Sequence, residues 1–144
     1  MADSPTLFTR IIRGELPGRF VWRDDDVAAF LTIAPIRPGH VLVVPIEEVD
    51  KWTDVSPETW SHASTVSHHI ARVLDDAFDC NRVGVIVAGL EVPHCHIHLL
   101  PIRTEGDLDF AKADHGADPT ALDEAAERIR AGLRAAGHGD RVPA

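Results

Sequence analysis

Cysteine, cationic side chains and long apolar runs are all scarce in this chain, and each shortage closes a class of function. The two cysteines, Cys80 and Cys95, form neither a Cys-x-x-Cys knuckle nor a disulfide framework. Fourteen lysines and arginines stand against 23 aspartates and glutamates, and the net charge of −9 argues against general binding to a nucleic-acid backbone. An anionic ligand must therefore be held by local donors rather than by the overall field. No apolar run approaches the ~20 residues of a membrane span, so no membrane partner is expected. Met1-Ala2-Asp3-Ser4-Pro5 has neither a basic region nor an apolar stretch. No secretory leader is expected, and the cytoplasm is the expected compartment.

What is present is the making of one globular domain. With 144 residues, 44% of them apolar and 26% charged, the chain can bury roughly two thirds of its unfolded surface. Ser4-Pro5 reads as a helix start and Gly14 as its stop, with Leu7, Phe8, Ile11 and Ile12 as one apolar stripe. Residues 19–24 and 26–33 alternate as two strands of a hairpin around Asp24-Asp25-Asp26. Pro35, Pro38 and Gly39 mark a loop before the apolar strand His40-Val41-Leu42-Val43-Val44-Pro45. Ser56-Pro57 opens a long helix striped by Trp60, Ala63, Val66, Ile70, Val73, Leu74 and Ala77. Residues 83–88 read as a buried strand. The polar stretch that follows Pro101 reads as an irregular surface loop. Asp118-Pro119 caps a last helix with Leu122, Ala125, Ile129 and Leu133 as its stripe. Hairpins and capped helices without a βαβ alternation predict an α+β fold on an antiparallel sheet.

The chemistry concentrates at His94-Cys95-His96-Ile97-His98-Leu99-Leu100-Pro101. On a strand, a side-chain period of two would put three imidazoles on one face, about 6–7 Å apart, with Cys95, Ile97 and Leu99 on the other. Cys95 is then expected to be a buried, inert thiol. Three uses fit the pattern. Surface histidines on a solvated face are one. A metal site is the second, with carboxylates from residues 46–50 as further ligands of an open catalytic centre. The third is covalent catalysis at phosphorus, with a neutral central imidazole attacking and its neighbours donating to phosphate oxygens.

The run resembles the signature of the histidine triad family of nucleotide hydrolases and transferases, His-x-His-x-His followed by two apolar residues. Other blocks match in order: Ile11-Ile12-Arg13-Gly14-Glu15-Leu16-Pro17, Asp24-Asp25-Asp26 with Ala29-Phe30-Leu31, and Pro35 with Gly39-His40-Val41-Leu42-Val43-Val44-Pro45. The resemblance implies a family-like domain over residues 6–104, with 105–144 as a polar loop and C-terminal helix packed on it. It implies an α+β fold with about five antiparallel strands and two main helices, the sheet continued across a two-fold homodimer. It also implies that His96 attacks to give a nucleotidyl-histidine intermediate, that the His94 carbonyl supports it, and that His98 contacts the phosphate. His40, Thr32, Gly89, Leu90 and Glu91 fall at substrate-binding positions. The implied substrate is a nucleotide with a phosphoramidate or phosphoanhydride bond. The alternatives are a catalytically weak nucleotide- or phosphate-binding protein and, behind it, a metal-dependent hydrolase.

Four departures bear on that implication. Members with structural zinc carry Cys-x-x-Cys near the start and a histidine after the central strand; here stand Thr6-Leu7-Phe8-Thr9 and Pro45-Ile46-Glu47-Glu48, so no metal and no cofactor is expected. Thr32 replaces the acidic residue that commonly holds the ribose, losing a charge-assisted contact. Only Ala88-Gly89-Leu90-Glu91-Val92 remains of the loop before the triad, with Leu90 in place of a glutamine. Glu91 replaces a serine or threonine and reads as a general acid, as a contact to a cationic part of the substrate, or as a solvated turn residue. Trp22, Trp52 and Trp60 read as core or interface, with Trp52 the candidate for stacking on a base. Ile12 and Phe8 could line a base pocket or fill the core. His62, His68, His69, His115 and His138 read as surface residues.

Overall fold

Residues 4–143 are described by a computed structural model as three helices and five strands. They are α1 (Leu7–Ile12), β1 (Phe20–Arg23), β2 (Val27–Leu31), β3 (Val41–Pro45), α2 (Pro57–Ala77), β4 (Arg82–Ile86), β5 (Ile97–Ile102) and α3 (Pro119–Ala135). The leader expectation falls largely on Met1–Asp3, outside the described residues.

Every strand pairing is antiparallel, in the order β1-β2-β3-β5-β4. The central strands β2 and β3 are buried along their whole length, which explains why their sequences run almost unbroken in apolar residues. One face of the sheet presents Val27, Ala29, Leu31, Val41, Val43, Ile97 and Leu99 to α2 and α3. Burying each valine, leucine or isoleucine of this set contributes about 1.5–3 kcal/mol. Ala125, Ala126, Ile129 and Leu133 of α3 enter this same cluster. Gly132 lets α3 come close to α2, since a Cβ there would lie 2.4 Å from Val73 Cγ1.

The opposite face carries Ala28, Phe30, Leu42 and Val44, covered by Phe8 and Ile12 of α1. His98 pairs in register with Leu42 of β3 and Ile86 of β4, so it shares this face. The sheet thus has one face closed by two long helices and one closed by a single short helix. The second leaves an open groove beside the histidines.

Several expectations are corrected here. The cap of α1 is Thr6, whose Oγ1 accepts from Thr9 N, rather than Ser4. β1 and β2 are shorter than their sequence patterns, because pairing stops before the alternation does. β4, expected to be a buried strand, lies at the edge of the sheet with Arg82 and Val85 exposed, because it has a partner on one side only. The histidine run is not one strand. β5 begins at Ile97, and His94 to His96 approach it through a bend, in which Cys95 N donates to Val49 O at 2.7 Å. The segment after Pro101 is also more ordered than an irregular loop. β5 continues to Ile102, and 3-10 turns follow at Glu105–Asp107 and Phe110–Lys112.

Candidate active site

The bend before β5 separates the three histidines into two roles. His96 and His98 face the groove, with ring centroids 4.7 Å apart, closer than an ideal strand would hold them. His94 turns inward and is fully buried. Its Nε2 lies 2.7 Å from Pro45 O and its Nδ1 lies 2.8 Å from Thr6 Oγ1. His40, just before β3, is also buried, and its Nε2 lies 2.9 Å from His98 Nδ1. It stands behind His98 rather than in the groove.

Fixed backbone partners settle the proton on every ring. Ile36 N can only donate, so His40 Nδ1 accepts at 3.1 Å and the ring proton of neutral His40 is on Nε2. His40 Nε2–H then donates to His98 Nδ1, which leaves the His98 proton on Nε2. Pro45 O can only accept, so neutral His94 is protonated at Nε2, and Thr6 Oγ1–H donates to its Nδ1. His94 O can only accept, so His96 Nδ1–H donates to it at 2.7 Å. Three of the four rings spend their lone pair on a protein donor. Of these four rings only His96 keeps an uncommitted lone pair, on Nε2, and beside it the Nε2–H of His98 also has no protein partner.

Burial keeps these rings neutral. It pushes His40 down to about 4 and, with the neighbouring His96 and His40 rings, His98 down to about 3. Burial also lowers His94, against the opposing hydrogen bond to Pro45 and the charge of Glu48. His96 is lowered by burial, while the His94 carbonyl and the Glu91 carboxylate act in the other direction. A neutral imidazole with an open Nε2 is a nucleophile, and an adjacent neutral imidazole with an outward Nε2–H is a hydrogen-bond donor. Cys95 is buried and its thiol is pushed up to about 11, so it is inert.

The groove has two connected parts. A space of about 310 Å³ is lined by His96, His98, Gly89, Leu90, Glu91 and Phe110 among others. A neighbouring space of about 550 Å³ is lined mainly by apolar side chains, including Phe8, Ile11, Leu16, Phe30 and Leu42. Leu7, Phe8, Thr32 and Leu42 line both parts. The Thr32 hydroxyl accepts from Ala34 N at 3.1 Å, which leaves its own proton to donate. Phe8 sets its ring against His96 in a T-shaped contact of 4.7 Å, whereas Ile12 is core. Leu90 is 95% exposed, and Glu91 is exposed beside it.

Phe110, unexpected at this site, returns from the 3-10 turn to make an edge contact with His98 at 4.9 Å. An apolar residue in a polar stretch was the only signal. Trp52 packs against Trp60 at 5.1 Å and Trp22 is buried in the core, so neither lines the groove. His69 stacks on Trp22 while His68 points to solvent.

The positions that carry zinc ligands in some triad proteins also come together, in a form the sequence did not disclose. Thr6, Thr9 and Glu48 gather around His94: Thr9 Oγ1 donates to Glu48 Oε1 at 2.7 Å, and Thr6 N donates to the same oxygen at 2.8 Å. Two hydroxyls already committed to hydrogen bonds, with one carboxylate and one imidazole, do not match the nitrogen and sulfur donors of a closed zinc site. Elsewhere, Asp24, Asp26 and His62 lie within reach of a common cation. The Asp24 oxygens already accept from Trp22 Nε1, His62 Nε2, Asp26 N and Val27 N, which makes this a hydrogen-bonded turn.

Residues 13–105 match the HIT domain. The chain is 36% identical over 113 residues to the purine nucleoside phosphoramidase of Escherichia coli (strain K12), an alignment that covers 72% of this chain and 92% of that protein. Two solved structures share the architecture. The Hit-like protein of Bartonella henselae, described as involved in cell-cycle regulation, aligns with a TM-score of 0.77 at 32% identity, covering 91% of this chain and 98% of that one. A Zn-bound histidine triad family protein of Mycobacterium smegmatis aligns with a TM-score of 0.78 at 26% identity, covering 92% of this chain and 96% of that one.

Proposed function

The chain belongs to the HIT domain family, and from that premise we propose that it cleaves a phosphoramidate or phosphoanhydride bond of a nucleotide through a covalent intermediate on His96. The observation that carries the proposal is the open Nε2 of His96 beside the outward Nε2–H of His98. His96 Nε2 attacks phosphorus, and the bond to the leaving group breaks with its electron pair going to that group. The leaving amine or phosphate takes a proton at the solvent-open mouth, where Glu91 stands. The positive charge that develops on His96 is held by its Nδ1–H against the His94 carbonyl. His98 donates to a phosphoryl oxygen and His40 orients it. Water then attacks phosphorus and releases His96.

The apolar part of the groove suits a base, with the Thr32 hydroxyl at the junction for the ribose. The reading extends to a cytoplasmic homodimer joined through the sheet. It is supported by β4 being an edge strand on which Val85 is 57% exposed. No described helix is long and apolar enough to cross a membrane.

A second reading, a nucleotide-binding protein with little turnover, is favoured by one feature. Leu90 brings an apolar, exposed side chain to the phosphate side of the groove. Steady-state hydrolysis of nucleoside phosphoramidates with several bases separates the two. Turnover that is lost in His96→Ala, with the fold retained, supports the enzyme. Calorimetric binding of nucleoside monophosphates without turnover of any phosphoramidate supports the binding protein.

A further inference from the structure

A continuous set of hydrogen bonds runs from the surface to the candidate nucleophile. Glu48 accepts from Thr6 N and Thr9 Oγ1. With the Thr9 proton committed to the carboxylate, the Thr6 hydroxyl accepts from Thr9 N at 3.1 Å and gives its own proton to His94 Nδ1 at 2.8 Å. His94 Nε2–H is spent on Pro45 O, and His94 O receives His96 Nδ1–H. The partners come from the start of the chain, the end of β3 and the bend before β5, so no local preference of His94 fixes its ring.

We infer that Thr6, Thr9 and Glu48 are positioning residues that hold His94 neutral and in a single tautomer, and so set the aim of His96 and the charge beside it. The inference rests on the reading of His96 as the nucleophile, and it reaches residues that touch neither substrate nor reacting atoms. The cluster closes the place where a metal could otherwise tie α1 to the bend, and it does so with one-way donors. A cation, or a second proton, on His94 would set a positive charge beside His96 just where charge develops during attack. A hydroxyl that donates to His94 Nδ1 keeps that charge away.

The test must separate this role from the cap that Thr6 gives α1. Thr6→Asp keeps a cap acceptor but can only accept from His94, whereas Thr6→Ser keeps both functions. Long-range 1H–15N spectra of the histidine rings report protonation without any substrate. In the wild type and Thr6→Ser, His94 Nδ1 is expected to show an unprotonated, hydrogen-bonded nitrogen at neutral pH, and His96 to be protonated at Nδ1 only. In Thr6→Asp, His94 should be protonated at both nitrogens, and the His96 titration should move to lower pH. With a substrate, kcat should fall about tenfold while KM changes little, since alignment and charge in the attack are affected rather than binding. His94 and His96 resonances in Thr6→Asp that match those of the wild type would overturn the inference. Absence of turnover in the wild type would overturn the proposed function instead, and the ring spectra would still decide the role of Thr6.

Discussion

His40 donates its Nε2 proton to Nδ1 of His98 across 2.9 Å, and the chain of donors begins at a backbone amide, Ile36 N. A ring pair anchored this way has one assignment of protons while both members stay neutral. His98 is thereby presented to the groove as a donor and not as a base.

Neutrality of that pair makes stability depend on pH. Both rings titrate below their ordinary value of 6.5, His40 at about 4 and His98 at about 3, chiefly because they are buried. Above pH 6.5 both the folded and the unfolded chain hold them neutral, and their full contribution is present. As pH falls below 6.5 the unfolded chain takes up protons first. Stability is then lost at up to about 1.4 kcal/mol per pH unit for each ring until the folded values are reached. Urea unfolding at pH 7.5 and pH 4.5 should show a lower midpoint in acid, with the difference reduced in His98→Gln. An equal midpoint at the two pH values would contradict the assignment.

The same burial sets the acid limb of activity. His96 titrates below 6.5 in the folded protein, so its Nε2 lone pair survives moderate acidity. The acid limb of kcat/KM is expected to be centred below 6.5, the ordinary value for an imidazole. A limb centred at or above pH 7 would show that His96 is not held as described.

Phe110 offers a test of how far the groove extends beyond the residues that match the HIT domain. Its ring is 44% exposed yet lies 4.9 Å from that of His98, so truncation removes a wall of the site and little core. The ring also lines the groove, and an aromatic contact between it and a bound ligand would be worth about 0.5–1.5 kcal/mol, which corresponds to about a two- to tenfold rise in KM for Phe110→Ala. Thermal unfolding should change little. Wild-type KM in a folded variant would remove Phe110 from the site.

Gly132 tests the packing of α3 on α2. Alanine would gain about 1 kcal/mol of helix propensity in isolation. Here its Cβ would meet Val73 Cγ1 at 2.4 Å, and a β-branched side chain on a helix has few ways to retreat. Overpacking of about 1–3 kcal/mol should win, giving a net loss in Gly132→Ala. Adding Val73→Ala should recover part of the loss, despite the methyl groups it removes. A more stable single variant would show that the helices separate freely.

Elements whose signals are local were legible in the chain. The Ser56 cap, Pro57 and the stripe from Ala63 to Leu74 define α2, and Asp118-Pro119 does the same for α3. The hairpin around Asp24 followed from alternation and turn residues, but its strands end where partners end: β2 stops at Leu31, opposite Val41. The histidine alternation brought His96 and His98 to one groove as expected, but its geometry was wrong, since the strand begins only at Ile97. The first two residues of the run, His94 and Cys95, bond outside the sheet to Pro45 and Val49, more than 40 residues distant in sequence. Thr6, Thr9 and Glu48 were visible only as residues that zinc ligands would have occupied. Their hydrogen bonds to each other and to His94 are tertiary, as is the return of Phe110 to His98.

The central claim is that His96 Nε2 attacks phosphorus, and trapping the intermediate tests it most directly. The protein is mixed with an adenosine phosphoramidate, quenched within the first turnovers and digested, and the peptide containing residues 94–98 is weighed. The account predicts a nucleotidyl adduct on His96 that is absent from His96→Ala and that decays as nucleoside monophosphate appears. Product formed at wild-type rate by His96→Ala, or an adduct located on His98, would contradict it.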